Sequence, residues 1–145
     1  MEKKSIQKFE DFNISPELLK AVREMGFEEP TPIQKLTIPD ALEGRDIIGQ
    51  AQTGTGKTAS FGIPIIEKNI TGNKPHALVI EPTRELALQV SEELASLAAH
   101  KKCSVLAVYG GASMERQIQS LRKGTNPGNI ELTPNMAYEL IAKNK

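Results

Sequence analysis

Ala51-Gln52-Thr53-Gly54-Thr55-Gly56-Lys57-Thr58 is the stretch that decides how this sequence folds. Asp46-Ile47-Ile48-Gly49-Gln50 before it reads as a short buried strand, and Ala59-Ser60-Phe61-Gly62-Ile63 after it opens a helix. Strand, glycine-rich turn and helix N-terminus in that order are the setting of a phosphate-binding loop. Its glycines let successive backbone N–H groups turn inward without a Cβ clash, which makes a concave anion site. Lys57 brings a mobile positive charge to the β- and γ-phosphates, and the Thr58 hydroxyl suits Mg²⁺. Ala51 stands where the usual pattern begins with Gly. A solvated Gly/Thr-rich turn is the plain alternative, and Gly-Lys-Thr at this spacing argues against it. The loop reads as a nucleotide site.

The 145 residues suffice for one domain with a core. Hydrophobic residues make up 39% and charged residues 25%, the balance of a globular chain rather than a disordered one. No run of about 18 apolar residues is present, so no membrane partner is expected. Met1-Glu2-Lys3-Lys4 leads into no apolar signal core, and a cytoplasmic location is expected. One cysteine, Cys103, and two histidines exclude a metal cluster built from those residues. Formal net charge is zero, so nucleic-acid binding would have to come from local groups.

Outward from the loop, strands and helices alternate. Residues 1–8 are polar and expected to be mobile. Ser15-Pro16 starts a helix with Leu18, Leu19, Val22 and Met25 on one face, and Gly26 ends it. Thr31-Pro32 starts a second helix carrying Gln34; Pro39 is expected to interrupt it and Gly44 to close it. Pro64 is expected to bend the helix after the loop, and residues 72–75 form a turn. A second strand spans 76–80. Thr83 caps a long helix whose inward stripe is Leu86, Val90, Leu94 and Leu97. A third strand covers 103–109, Gly110-Gly111 turns the chain, and a fourth helix spans roughly 114–122. Near-continuous apolar strands between helices imply an α/β fold with a mainly parallel sheet covered on both faces. A short strand at 130–132 and a helix opened by Thr133-Pro134 end the chain.

Residues 26–34, Gly-Phe-Glu-Glu-Pro-Thr-Pro-Ile-Gln, gain meaning from the loop downstream. The amide of Gln34 can pair with both the N6 donor and the N7 acceptor of adenine, and Phe9 can stack on the base. With these in place, the sequence resembles the N-terminal RecA-like domain of a DEAD-box ATP-dependent RNA helicase. Phe9 and residues 26–34 resemble the family's adenine-recognising Gln motif, and residues 51–58 its phosphate loop. Pro82-Thr83-Arg84-Glu85-Leu86-Ala87 and Gly110-Gly111 resemble its contacts to the RNA backbone. The resemblance implies a P-loop NTPase fold, ATP or ADP with Mg²⁺, and RNA bound without regard to sequence. The residue types agree. A helix N-terminus capped by Thr83 with Arg84 beside it favours phosphate, and paired glycines admit a backbone closely.

Past Gly124 the pattern weakens: Asn135-Met136 follows Thr133-Pro134 where the family has Gly-Arg. The sequence therefore divides into residues 1–8, a partial RecA-like domain at 9–124 and a divergent tail at 125–145. No Asp-Glu-Ala-Asp occurs, nor a second RecA-like domain to supply arginines to the γ-phosphate. The parent family hydrolyses ATP and unwinds RNA. This chain is expected to bind nucleotide and hydrolyse it negligibly, with the alternative that it is a non-catalytic nucleotide and weak RNA binding module. A second RecA-like domain, the tail or another copy of the chain is expected to cover the open sheet.

Overall fold

The computed structural model describes residues 5–52, 54–68 and 76–122, and the backbone of 128–132. The chain forms two compact units. The first comprises residues 1–68 with 96–101, the second 69–95 with 102–145.

The first unit is helical. A 3-10 turn, Phe9–Phe12, leads into α1 (Pro16–Glu24), α2 (Pro32–Leu42) and α3 (Lys57–Glu67). Two of these helices end in the same way. At the end of α1, Gly26 takes φ +80°, with its N–H donating to the Arg23 carbonyl and Phe27 N–H to Val22. At the end of α2, Gly44 takes φ +83°, with bonds to Ala41 and, from Arg45, to Asp40. Both are Schellman closures, which satisfy the last helical carbonyls and need a residue tolerant of positive φ. Leu18, Ala21 and Val22 of α1 are buried with Ile38 of α2 and Ile63 and Ile66 of α3.

Pro39 does not interrupt α2, and Pro64 lies inside α3. A proline removes one donor, but the rest of the α2 ladder is tied at both ends. Glu43 N–H still donates to the Pro39 carbonyl at 3.2 Å. Ser15 does not cap α1 with its hydroxyl. Its Oγ donates to Glu67 Oε2 at 2.8 Å and its N–H to Glu67 Oε1 at 3.0 Å, so α1 starts on the last residue of α3. Lys101 Nζ joins the same carboxylate at 3.1 Å. His100 Nε2 lies 2.6 Å from Glu24 Oε2.

The second unit holds the sheet. β1 (Ala77–Ile80), β2 (Ser104–Val108) and β3 (Gly128–Leu132) are parallel in the order β1-β3-β2, with Leu78 and Leu106 both opposite Ile130. α4 (Arg84–Leu97) follows β1 and α5 (Met114–Arg122) follows β2. The strand expected at 130–132 is thus the central one, and the break drawn at residue 124 falls inside this unit. Val108 is fully buried, packed by Leu106 and by Met114, Ile118 and Leu121 of α5.

Two further expectations fail. Residues 46–50 form no strand and all are exposed, Ile48 completely. An apolar run becomes a parallel strand only where neighbours supply its ladder bonds. Leu78 and Ile80 of β1 are 47% and 55% exposed, in keeping with the open sheet expected from the sequence. Finally, the inward stripe of α4 is Ala87, Val90, Leu94 and Leu97, with Leu86 outside it at 39% exposure. At about 100° per residue, Leu86 sits on the edge of the arc that those four define. The turn at 72–75 and the helix after Thr133 lie outside the described residues.

Burial works against ionisation of Glu67, but hydrogen bonds from the Ser15 hydroxyl and N–H and from Lys101 outweigh it. They hold the carboxyl below its ordinary value of 4.5. A carboxyl lowered by folding contributes stability that is complete above its unfolded value and lost as pH falls through the folded one. Glu67→Gln is expected to lower the urea midpoint at neutral pH, and the gap to the wild type to close as pH falls below 4.5 and through the lowered folded value. Urea titrations of both proteins across that range measure it.

Candidate functional site

The phosphate loop is set by backbone constraints that begin at its glycines. Gly54 and Gly56 have φ +78° and +81°, and Gly56 is the N-cap residue of α3. Lys57 is therefore the first helical residue and is exposed, with Thr58 next to it and half-buried. Unpaired N–H groups at this helix start, the positive end of its dipole and the Lys57 charge converge on one region, as an anion site requires. Thr55 Oγ1 donates to the Gln52 carbonyl within the loop. Thr53 lies outside the described residues.

The Gly56 carbonyl is held from three directions. Ser60 N–H donates at 3.2 Å, Ser60 Oγ at 3.1 Å and Gln34 Nε2 at 3.1 Å. Gln34 Oε1 accepts from Thr31 N–H at 2.9 Å, so one buried amide joins the start of α2 to the start of α3. Gln34 is only 1% exposed. Sequence reasoning gave its amide to adenine; here two of its bonds go to the backbone at the starts of α2 and α3. Thr31 Oγ1, buried beside it, has no hydrogen-bond partner.

Phe9 is also interior, at 3% exposure. Its ring meets Phe12 edge-on with centroids 5.8 Å apart and stacks on Phe27 at 6.1 Å. A cleft of about 300 Å³ opens beside Phe9 and Phe27, with Arg23 and Glu28 at its walls. A larger cleft of about 520 Å³ is lined by Ile33, Thr37, Phe61, Pro64 and Lys57. Its mainly apolar walls suit phosphate poorly.

In the second unit, the residues expected at the RNA backbone come together. Thr83 caps α4 with its side chain, Oγ1 accepting from Leu86 N–H at 3.2 Å. Pro82, Thr83, Arg84, Gly110 and Gly111 are all exposed. The Arg84 guanidinium lies over the Tyr109 ring, 4.7 Å from its centroid. A Cβ on Gly111, which has φ +86°, would stand 3.5 Å from Arg84 Nη1. Arginine fork and paired glycines thus share one exposed face.

A model of the DEAD/DEAH box helicase family matches residues 31–145. The chain belongs to that family. It is 58% identical over 134 residues to the DEAD-box ATP-dependent RNA helicase CshA of Geobacillus kaustophilus, covering 92% of this chain and 28% of the relative. To the CshA of Bacillus subtilis it is 57% identical over 135 residues, with 92% and 27% covered. The crystal structure of a DEAD box protein from the hyperthermophile Methanococcus jannaschii aligns with TM-score 0.82 and 42% identity, over 89% of this chain and 35% of that one. The chain therefore spans roughly a quarter to a third of the length of these proteins. Its architecture is part of the RecA-like α/β fold of DEAD-box helicases.

Two residues beside the exposed face of the second unit escaped the sequence reading. Tyr109 was taken only as the end of a strand, and Gln117 was not singled out from its helix. Gln117 is 8% exposed and sits on the same face of α5 as Met114, Ile118 and Leu121. A glutamine at that point of an apolar stripe was the available signal.

Gly56 and Gly54 make a controlled pair. A Cβ at Gly56 would stand 2.2 Å from Gln34 Nε2, whereas at Gly54 it meets nothing within 4 Å. Gly54→Ala is expected to cost about 1–2 kcal/mol for left-handed backbone alone. Gly56→Ala is expected to cost clearly more, and adding Gln34→Ala should recover part of the excess. Urea unfolding of the three variants checks this.

Proposed function

We infer that this chain is the ATP-binding and RNA-contacting portion of a helicase that couples ATP hydrolysis to RNA unwinding when complete. The observation that supports it most is the loop at 51–58, with two left-handed glycines at the start of α3 and its key carbonyl fixed by Gln34. In this reading the N–H groups of residues 54–58 and the Lys57 ammonium hold the phosphates of ATP or ADP, and Thr58 contributes its hydroxyl to Mg²⁺. The metal, when bound, neutralises phosphate charge. Ala51, Gln52 and Thr53 complete the loop. Gln34 keeps one amide hydrogen and one carbonyl lone pair beyond its two internal bonds, and these are the groups that adenine would use. In this reading the base lies toward the cleft bordered by Phe9 and Phe27.

Pro82, Thr83, Arg84, Gly110 and Gly111 form the RNA face, where backbone contacts carry position rather than sequence. The family's second RecA-like domain is the partner that would complete catalysis, and the compartment would be the cytoplasm. No Asp-Glu-Ala-Asp stands among the 145 residues, so hydrolysis by this chain alone should be negligible. That favours a second reading of the chain by itself, as a non-catalytic adenine-nucleotide module.

Titration with a fluorescent ADP plus Mg²⁺ tests the site. Lys57→Ala is expected to weaken binding at least about tenfold, a change of about 1.4 kcal/mol. Gln34→Ala should narrow the preference for adenine over guanine nucleotides. Equal affinity in wild type and Lys57→Ala would refute the phosphate site. ATP turnover well above that of Lys57→Ala would refute the non-catalytic reading.

A further inference from the structure

The exposed face of the second unit rests on a buried carboxamide. Gln117 Oε1 accepts from Tyr109 N–H at 3.0 Å, and Gln117 Nε2 donates to the Tyr109 carbonyl at 3.2 Å and to the Ser113 carbonyl at 3.4 Å. Both amide hydrogens are thereby engaged, and the side chain holds Tyr109 by its two backbone polar groups at once. Its own position is fixed by the apolar neighbours on its helix face, which pack on Val108, the residue before Tyr109. Tyr109 in turn carries Arg84 on its ring at 4.7 Å, and Arg84 reaches the space next to Gly111.

A strand-end tyrosine held only by its own side chain could rotate its peptide planes. Arg84 and the glycine turn would rotate with them. Two hydrogen bonds between Tyr109 and one buried amide remove that freedom, because rotating either peptide plane would break a bond that no neighbour replaces as well. The cation–π contact then restricts a guanidinium that would otherwise sample many rotamers before meeting a phosphate.

We propose that Gln117 and Tyr109 are positioning residues for RNA-backbone binding, with Gln117 fixing Tyr109 and the Tyr109 ring presenting Arg84 beside Gly110-Gly111. The proposal rests on the reading of Arg84 and the glycine pair as the RNA face. Neither residue needs to touch RNA. Their effect passes through Arg84.

The test uses the whole chain and a fluorescein-labelled oligouridylate. Gln117→Ala is expected to weaken binding about tenfold and to flatten the salt dependence by about one phosphate contact, a slope change of about 0.7. Arg84→Ala should do the same, and the double variant should be no worse than either alone. In parallel, the Arg84 Nε–H proton signal reports the ring directly. Tyr109 shifts it in the wild type, and Gln117→Ala should return it toward the position of free arginine. Should Gln117→Ala fail to fold, shown by collapse of the Val108 and Ile118 methyl signals, Tyr109→Leu carries the same expectations without disturbing the amide. Additive losses, or an Arg84 signal unmoved in Gln117→Ala or Tyr109→Leu, overturn the proposal. Wild-type binding by Arg84→Ala overturns the RNA-face reading instead, and the Arg84 signal then decides alone whether Gln117 positions that side chain.

Discussion

The Gly56 carbonyl is the point on which the first unit depends. It is the N-cap carbonyl of α3, and it takes hydrogen bonds from Ser60 twice and from Gln34 once. The Ser60 bonds are local and belong to the helix. The Gln34 bond is not local: it crosses 22 residues and fixes where α3 begins relative to α2. Because Gln34 is buried and its oxygen also holds Thr31, moving the loop would leave a buried amide N–H without its carbonyl. The first N–H groups of α3 inherit their direction from that carbonyl, since both belong to the same first turn. The loop is therefore shaped before any anion arrives, which lowers the ordering cost of binding.

The second unit repeats this solution with different parts. There the turn is made by Gly110-Gly111 and Gln117 is the holder, again a glutamine whose amide faces backbone rather than solvent. In both units an exposed, glycine-containing loop is tied to a helix by one uncharged side chain. The contrast lies in what projects from it. Lys57 is part of the loop's own helix, whereas Arg84 comes from a different helix and is held by an aromatic ring.

The sequence was legible where the cause of structure is local. Thr83 as a cap, Gly26 and Gly44 as helix ends and the left-handed glycines of the phosphate loop all follow from the chemistry of one or two residues. It misled where the cause is distant. Residues 46–50 have the composition of a strand, but a ladder needs a neighbour, and composition does not name one. Ser15 has the residue type of a cap, yet a carboxylate 52 residues away takes its hydroxyl. Phe9 and Gln34 were read as contacts of the adenine base, and residue type alone does not say what else holds them. Their partners Phe12, Phe27 and Gly56 turn both inward.

That both loops are held by carboxamides separates architecture from ligand binding. In the proposed reading, phosphate and RNA backbone would be gripped by charge, a grip that ions in solution weaken steeply. A neutral amide hydrogen-bonded to a carbonyl carries no net charge to screen. Raising ionic strength should thus release the polyanion while Gln34 and Gln117 keep their bonds, leaving both loops shaped for the next one. Release can be reversible because the pocket does not have to be rebuilt.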